Sequence, residues 1–539
     1  MATVREATYQ LLRDLGVKLI FGNPGSTELP FLRGMPADFS YILALHERSA
    51  AGIALGYALA TREAAFVNLH SVASVGNGLS AIVDAHYSHV PLIVTTGQQD
   101  RRHLLAEPFL TSRAVDVVKP YVKWAFEPLR AQDVPAAIAR GYYLAMQPPM
   151  GPVFISIPMD DWMQDCSALS VRRVTRTVMP DPGALNEVVR ALDASRNPAL
   201  VAGAQIEEDA AWADVIALAE HLDADVYQEP LPSRWTFPRS HRLFRGGLFP
   251  AKQPLSDQLA IYDTVVVLGA PVFLYYTYVP GSIVASSTRL FQITNSPDQA
   301  AAALSGNSIT GNIQVATEYL RTHAKPRKKC TPEKQRVLPP KPQPGVPITP
   351  AYLFSVLKDI VPKDVIVAEE CPSSKGDLDC YLTLDEPASF YSVPNGILGF
   401  GLPAAVGLQL AHRKRRVICP IGDGSIQYSI QALWTAVQQK APMITIVLQN
   451  SDYSALKGFC DFTGVGRNVP GMEIPNIDVV QIAQGYGMAA RHIHNPEDLE
   501  PAIKQAFESN DPHLICVTVA QGGQKCMGMD SSVNPPKYA

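Results

Sequence analysis

Short apolar runs alternate with helical periods along most of this chain, and this alternation constrains the fold more than any other feature. Buried strands are predicted at residues 17–22, 41–46, 65–70, 91–96 and 151–158. Between them lie stretches such as residues 49–60, whose apolar side chains recur near the 3.6-residue period of a helix. Strands that alternate with helices are typical of βαβ units around a parallel sheet, so the sequence predicts an α/β fold.

Two breaks divide this pattern into three parts. Pro180, Pro182 and Gly183 interrupt it before a new helix. Farther on, eight prolines lie from Pro326 to Pro350 among several basic residues, a composition typical of an extended, exposed linker. The 539 residues are also too many for one ordinary core. We therefore expect three doubly wound α/β domains with mainly parallel sheets, at residues 1–180, 181–325 and 349–539, with a linker at residues 326–348.

The charge and composition of the chain argue against nucleic acid and membranes as its binding partners. The formal net charge of -4 and the pI near 6.3 give no basic surface for nucleic acid or for an anionic membrane. No segment reaches the roughly 18 apolar residues that a membrane span needs, and the first residues are too charged for a signal peptide. The eight cysteines form no Cys-x-x-Cys pair. We expect a cytoplasmic protein that binds small molecules, with no nucleic acid and no membrane.

Asp423 and Asn450 follow two consecutive predicted strands. The strand at residues 416–421 leads into the turn at residues 422–425, Gly-Asp-Gly-Ser, and the strand at residues 443–448 leads to Asn450. Strands of a right-handed βαβ unit run parallel, so both side chains are expected at the same carboxyl edge of a sheet. A hard cation such as Mg²⁺ binds carboxylate and amide oxygens together with phosphate oxygens.

The glycines of this turn would let the backbone approach a phosphate, and a helix N-terminus beginning near Ser425 would favour an anion. A second interpretation stays open at this point. The same four residues could form an ordinary strand-to-helix turn that Ser425 caps.

The spacing of Asp423 and Asn450 resembles the signature of thiamine-diphosphate enzymes, in which a Gly-Asp-Gly turn precedes a metal-binding asparagine. Asn450 stands 27 residues after Asp423, and Gln449 precedes it where that family usually has another asparagine. The resemblance implies that thiamine diphosphate and Mg²⁺, or Ca²⁺ in its place, are the cofactors. It also implies a third metal ligand, the backbone carbonyl of Asp452.

Glu47 is an independent indication of the same cofactor. It directly follows the predicted strand at residues 41–46, although by itself it could be an acidic residue favoured at a helix N-terminus. In the thiamine-diphosphate family a glutamate here acts from a neighbouring subunit on ring nitrogen N1′, which promotes loss of the proton at C2. The resemblance implies a pyrimidine-binding N-terminal domain, a middle domain and a diphosphate-binding C-terminal domain. It also implies a homo-oligomer with active sites at a dimer interface, with a tetramer as the family's usual form.

Segments in all three predicted domains resemble the benzoylformate decarboxylase family. They are residues 21–30, 41–45, 68–71, 76–77, 269–273 and 432–436. The resemblance assigns Ser26 to the substrate carboxylate and His70 to proton transfer at the reacting carbon, roles that a hydroxyl and an imidazole can fill. Without that resemblance, His70 would be interpreted as a core histidine.

The same resemblance assigns the contacts to the cofactor. Leu398 is the apolar wedge that bends the cofactor, and the carbonyl of Gly396 accepts from its pyrimidine. The remaining positions expected around the cofactor are Asn77, Ser373, Gly424, Ser425, Tyr428, Tyr453, Ser454 and Ala455.

The sequence departs from that family where the substrate is expected. Tyr276 stands in place of a second active-site histidine, and a phenol, whose usual pKa is about 10, exchanges protons poorly at neutral pH. Residues 392–395 differ from the family's pattern, and Gly458 replaces a tryptophan. We expect a reshaped or enlarged pocket.

The expected activity is that of a carboxy-lyase: non-oxidative decarboxylation of a 2-keto acid, with an aromatic one such as benzoylformate first, to an aldehyde and CO₂. Tyr276 leaves open a carboligase or aldehyde lyase that acts on 2-hydroxy ketones such as benzoin. A flavin-containing acetolactate synthase is disfavoured, because no Gly-x-Gly-x-x-Gly follows a strand of the middle domain. A non-catalytic cofactor-binding relative is disfavoured by intact Glu47, Asp423 and Asn450.

Overall fold

Three six-stranded sheets, each with all of its strands parallel, dominate the structure, which is a computed structural model. It describes residues 2–327, 339–393 and 395–521. Residues 328–338 of the predicted linker and Pro394 of the segment at residues 392–395 lie outside the described residues. The prediction of three parallel α/β units is confirmed.

The N-terminal unit contains a sheet of order β3-β2-β4-β5-β7-β6, beside a small antiparallel pair of β1 and β8. Its strands are β1 (Ala2–Thr3), β2 (Leu19–Gly22), β3 (Ser40–Leu43), β4 (Ala65–Leu69), β5 (Leu92–Gln98), β6 (Ala125–Phe126), β7 (Val153–Pro158) and β8 (Asp165–Cys166). Its α-helices are α1 (Val4–Asp14), α2 (Leu29–Leu32), α3 (Glu47–Thr61), α4 (Ser71–Tyr87), α5 (Ala114–Val118) and α6 (Val134–Met146). The strand order reverses between β2 and β4, where a ligand crevice is expected.

The middle unit contains a sheet of order β11-β10-β9-β12-β13-β14. Its strands are β9 (Pro198–Ala202), β10 (Asp225–Gln228), β11 (Phe244–Gly247), β12 (Thr264–Leu268), β13 (Arg289–Thr294) and β14 (Asn307–Thr310). Its helices are α7 (Pro182–Ala194), α8 (Gln205–Glu208), α9 (Trp212–Leu222), α10 (Lys252–Leu259), α11 (Pro297–Ala302) and α12 (Ile313–His323).

The C-terminal unit contains a sheet of order β16-β15-β17-β18-β20-β19. Its strands are β15 (Ile366–Glu369), β16 (Phe390–Ser392), β17 (Val417–Gly422), β18 (Ile444–Gln449), β19 (Ala489–Ile493) and β20 (His513–Thr518). Its helices are α13 (Pro350–Ile360), α14 (Lys375–Tyr381), α15 (Gly401–Ala411), α16 (Ala432–Gln438), α17 (Ser454–Thr463), α18 (Val479–Gly485) and α19 (Pro496–Glu508). The strand order reverses between β15 and β17, directly beside Asp423.

Two local predictions differ from the structure by more than one or two residues at an element's end. The strand expected at residues 41–46 ends at Leu43, and His46 instead accepts a hydrogen bond from the Arg48 amide at the start of α3. The helix expected directly after the Gly-Asp-Gly-Ser turn is divided into a 3₁₀ turn, Ser425–Tyr428, and α16. In each case apolar periodicity identified the buried face of the element. It could not locate where the strand or helix ends, because capping hydrogen bonds and tight turns determine those positions.

The N- and C-terminal units share one apolar core, in which α3 packs directly against α15. Glycines at the crossing let the two backbones approach each other. A Cβ atom at Gly407 would lie 2.0 Å from the Ile53 carbonyl oxygen, and one at Gly56 would lie 2.2 Å from the Ala404 carbonyl oxygen. Because neither backbone can yield to a side chain there, the crossing fixes the N-terminus of α3 relative to the C-terminal sheet.

None of the helices in the described part of the chain combines the length and the apolar character needed to cross a bilayer. Six cysteines among the described residues are free thiols, whereas Cys330 and Cys526 lie outside that part of the chain.

We expect Gly407→Ala to lower the thermal midpoint of unfolding, because overpacking a close helix crossing costs about 1–3 kcal/mol. Gly485→Ala is the matched control, since a Cβ atom at this exposed helical glycine meets no atom within 4 Å. Differential scanning fluorimetry of both variants checks the prediction. Equal midpoints would show that the crossing tolerates a side chain.

Candidate active site

The predicted metal ligands lie together at the carboxyl edge of the C-terminal sheet. Asp423 follows β17 and Asn450 follows β18, and these two strands pair in parallel from Ile418 to Gly422. The paired register carries both side chains to the same edge, beside the point where the strand order reverses. The sequence predicted this placement from strand connectivity alone.

Asp423 is a buried carboxylate that accepts two backbone hydrogen bonds. Its Oδ1 accepts from the Gly424 amide at 2.9 Å, and its Oδ2 accepts from the Ser451 amide at 2.6 Å. Burial raises the pKa of Asp423 above its ordinary value, against the lowering effect of these backbone donors. Among the residues that the structure describes, no Lys, Arg or His side chain forms an ion pair with Asp423. A divalent cation would supply the missing positive charge.

The turn after Asn450 is hydrogen-bonded to Asp423 and to the Asn450 side chain. Ser451 adopts a left-handed conformation with φ of 58°, which lets its amide reach Asp423. The Asn450 side chain accepts from the Asp452 amide and donates to the Ser454 hydroxyl. The Asp452 carboxylate accepts from Lys457 and from the Ser454 hydroxyl. These bonds occupy the side chain and leave the backbone carbonyl, which is the predicted metal ligand, out of the interaction.

Several residues predicted to surround the diphosphate lie next to this turn. A Cβ atom at Gly424 would lie 2.7 Å from the Tyr453 ring, so a glycine is required for the two to touch. The Ser373 hydroxyl accepts from the Ala455 amide at 3.0 Å and joins the loop after β15 to α17. Ser425 is buried in the 3₁₀ turn, whereas the Tyr428 side chain at the end of that turn is exposed.

Glu47 begins α3 and holds an ionised carboxylate in a polar cluster of the N-terminal unit. It accepts from Asn23 at 3.0 Å, from Ser74 at 2.8 Å and from Asn77 at 2.9 Å. Burial raises the pKa of Glu47, but the donors Asn77, Ser74 and Asn23 outweigh burial and bring it below the ordinary value. Asn77, predicted as a cofactor contact, is thus placed as a hydrogen-bond donor to Glu47.

Ser26 and His70 lie at the reversal point of the N-terminal sheet. Ser26 is exposed in the loop after β2, and His70 immediately precedes α4. A Cβ atom at Gly25 would lie 2.2 Å from the His70 ring, so the loop can lie against the imidazole only because residue 25 is a glycine. Ser26 and His70 therefore belong to one local site.

Glu28 is a site residue that the sequence analysis missed. It is 1% exposed and accepts hydrogen bonds from the amides of Gly25 and Gly97, from the Thr27 hydroxyl, and from His70 Nδ1 at 2.9 Å. Because an ionised carboxylate only accepts, Nδ1 carries the proton and Nε2 is the unprotonated nitrogen of the neutral ring. Burial raises the pKa of Glu28 despite these donors. Its position in the same post-strand loop as Ser26 was the signal available in the sequence.

Tyr276 lies in the loop after β12 and contacts the C-terminal unit. Its ring meets the Phe459 ring of α17 edge to face, with centroids 5.7 Å apart. The structure therefore brings Tyr276 to the helix that follows the turn at Asn450 and Asp452.

Family models for thiamine pyrophosphate enzymes, thiamine pyrophosphate being another name for thiamine diphosphate, match this chain three times. The N-terminal TPP binding domain matches residues 2–117, the central domain residues 185–320, and the C-terminal TPP binding domain residues 373–517. The benzoylformate decarboxylase of Pseudomonas aeruginosa is 41% identical over 520 residues, which cover 96% of this chain and 98% of that protein. The chain belongs to the thiamine-diphosphate-dependent 2-keto acid decarboxylase family.

Solved structures of this decarboxylase family resemble the fold over nearly the whole chain. The benzoylformate decarboxylase of Polynucleobacter necessarius has a TM-score of 0.94 at 38% identity and covers 97% of this chain and 100% of its own. The 4-hydroxybenzoylformate decarboxylase of Rhodococcus jostii has a TM-score of 0.93 at 40% identity and covers 96% of this chain and 99% of its own. The chain is accordingly a thiamine-diphosphate-dependent carboxy-lyase that decarboxylates a 2-keto acid.

Glu28→Gln should lower kcat by roughly tenfold or more, because an amide offers one acceptor oxygen where four donors converge and would turn the imidazole. The affinity for thiamine diphosphate should not change, since Glu28 contacts no predicted cofactor residue. Steady-state kinetics and a cofactor titration by tryptophan fluorescence measure the two quantities.

A double-mutant cycle supplies the control for this prediction. If Glu28 acts through His70, Glu28→Gln has no further effect on kcat in a His70→Ala background. Independent, multiplying losses would contradict that coupling.

Proposed function

We propose that this enzyme converts an aromatic 2-keto acid such as benzoylformate into the aldehyde and CO₂. The observation that carries the proposal is the edge-to-face pair of Tyr276 and Phe459, which brings aromatic surface to the helix directly after the turn at Asn450 and Asp452. Aromatic rings pack favourably in such offset and edge-to-face arrangements. The names of the relatives from P. aeruginosa and R. jostii, for benzoylformate and 4-hydroxybenzoylformate, support the same substrate class.

We propose that Asp423, Asn450 and the Asp452 carbonyl hold Mg²⁺, or Ca²⁺ in its place. The support is that Asp423 is buried with no ion-pair partner among the described residues, a state that a cation would relieve. Thiamine diphosphate, when bound, supplies the electron sink for the bond that breaks as CO₂ leaves. The residues proposed to contact it are Asn77, Ser373, Gly396, Leu398, Gly424, Ser425, Tyr428, Tyr453, Ser454 and Ala455.

Proton handling is proposed for residues of the N-terminal unit. Ser26 donates to the substrate carboxylate, and His70 Nε2 exchanges a proton at the reacting carbon while Glu28 holds Nδ1. Glu47 shares a proton with the cofactor's ring nitrogen N1′. The three donors around Glu47 fix its carboxylate for that task.

We propose that Glu47 serves the cofactor held by a partner subunit, so that the active unit is a homodimer or a tetramer of such dimers. Within the described part of the chain, the side-chain hydrogen bonds of Glu47 are all to its own N-terminal unit, which supports the view that this carboxylate is fixed independently of Asp423 in the same chain. We also propose a cytoplasmic location, which the six free cysteines of the described part support.

A second candidate is a carboligase or lyase that acts on 2-hydroxy ketones such as benzoin. Tyr276 favours it, because the phenol stands where the family has a histidine and is a poor proton shuttle at neutral pH. To separate the two activities, the enzyme loaded with thiamine diphosphate and Mg²⁺ is incubated with benzoylformate and, separately, with benzoin. We expect CO₂ and benzaldehyde in equal amounts from benzoylformate. Benzaldehyde from benzoin alone would replace the first proposal with the second.

A complementation experiment tests the shared site. Glu47→Gln and Asp423→Asn should each be nearly inactive. In the proposed dimer every site combines Glu47 of one subunit with Asp423 of the other, so each variant alone lacks one of the two groups in every site. Chains of the two variants, co-expressed with different tags and purified through both, should recover activity, since one site of a heterodimer then holds neither substitution. If the two variants pair at random, about half of the dimers are heterodimers, and one of the two sites in each of them is intact. We therefore expect about a quarter of wild-type activity before tag selection. Absence of recovery in a confirmed heterodimer would place Glu47 and Asp423 of one chain in the same site.

A further inference from the structure

A buried charged cluster of Arg48, Asp84 and Glu370 joins the N-terminal unit to the C-terminal unit. The three residues are 3%, 0% and 2% exposed, respectively. Arg48 follows Glu47 at the start of α3, Asp84 lies on α4, and Glu370 follows β15 at the reversal point of the C-terminal sheet. Burying such charges is costly unless they are paired and hydrogen-bonded, so the cluster requires a structural or functional reason.

Arg48 reaches from α3 to the segment at residues 396–401 of its own chain. Its Nη2 forms an ion pair with Asp84 Oδ2 at 2.5 Å and donates to the Leu398 carbonyl oxygen at 3.3 Å. Its Nε lies 3.0 Å from where a Cβ atom at Gly399 would be. Gly399 also has φ of 99°, a left-handed conformation that favours glycine. Arg48 thus lies directly against the backbone of the segment.

Glu370 holds the same segment from the other side. Its Oε1 accepts from the Gly399 amide at 2.6 Å, and its Oε2 accepts from the Gly401 amide at 2.5 Å. Gly401 is the first residue of α15, so the carboxylate accepts from an amide at a helix N-terminus as well as from the Gly399 amide. Burial raises the pKa of Glu370 to about 8, and both amides and Arg48 oppose this shift. Because both carboxyl oxygens accept from amides, the ionised form is the one that fits this geometry.

This segment contains Gly396 and Leu398, the residues proposed to contact the pyrimidine and to bend the cofactor. We propose that Arg48 and Glu370 are positioning residues that hold residues 396–401 in the shape that presents Gly396 and Leu398 to the cofactor. The proposal rests on the site assignments made under the proposed function. It assigns a function to a charge cluster that touches neither the metal ligands nor the polar partners of Glu47.

The experiment measures hydrogen–deuterium exchange at C2 of bound thiamine diphosphate, by acid quench and proton NMR, in the Mg²⁺-loaded enzyme. A misplaced wedge should slow this exchange, because the amine that removes the proton no longer reaches C2. We expect Arg48→Met to slow exchange roughly tenfold or more. Cofactor affinity should change little, since the diphosphate and metal are held elsewhere. Glu370→Gln should slow exchange as well, because its amide nitrogen faces an N–H donor.

Three further variants make the result specific. Arg48→Lys should slow exchange less than Arg48→Met, because lysine keeps the charge but lacks the planar fork. Arg242→Met removes a less buried arginine–aspartate ion pair, to Asp223 in the middle unit, and should exchange at the wild-type rate. Leu398→Ala calibrates the loss of the wedge itself. If Arg48→Met does not fold, Arg48→Lys and Glu370→Gln decide the question.

Wild-type exchange rates in folded, cofactor-bound Arg48→Met and Glu370→Gln, with slow exchange in Leu398→Ala, would overturn this inference alone. Wild-type exchange in Leu398→Ala would remove the assignment on which the inference rests. Because the exchange requires no keto acid, failure to decarboxylate benzoylformate would affect the substrate proposal and leave this result unchanged.

Discussion

The close crossing of α3 and α15 is the constraint on which the rest of the site depends. The glycines at this crossing bring two helix backbones into contact, and the shared apolar core around them joins the first and last sheets into one body. The N-terminus of α3 carries Glu47 and Arg48, and the segment at residues 396–401 ends at the first residue of α15. A shift of this crossing would therefore move both groups at once.

The carboxylates of Glu47 and Asp423 have different hydrogen-bond donors around them, and their pKa values shift in opposite directions. Glu47 receives three side-chain donors that outweigh burial, so it stays ionised and fixed within its own unit. Among the described residues, Asp423 accepts only from backbone amides, and burial raises its pKa. The protein itself satisfies the first carboxylate, whereas the second has no cationic partner among the described residues, which supports the proposed metal site. This difference is consistent with a role at the pyrimidine for one and at the metal for the other.

The sheet of the middle unit also reverses its strand order, but the loops at that point are hydrogen-bonded to one another. At the reversal between β9 and β12, the Gly203 amide donates to the Leu268 carbonyl and the Gln205 amide donates to the Gly269 carbonyl. Gln205 Oε1 then accepts from Thr294 and from the Asn295 amide. The contribution of this unit to the proposed site is instead Tyr276, at its contact with Phe459.

The sequence by itself determined the three parallel sheets, because apolar period and β-branched runs are local properties that survive without tertiary context. It also determined that Asp423 and Asn450 lie at one edge, because two strands joined by a βαβ crossover run parallel and end at the same edge of the sheet. Only the tertiary structure decided that Glu28 holds His70, that Arg48 and Glu370 hold residues 396–401, and that Asn77 serves Glu47. Each of these contacts joins residues far apart in the chain or on different elements. The burial of these side chains, and hence their protonation, depends on tertiary packing. A local sequence pattern contains no information about that packing.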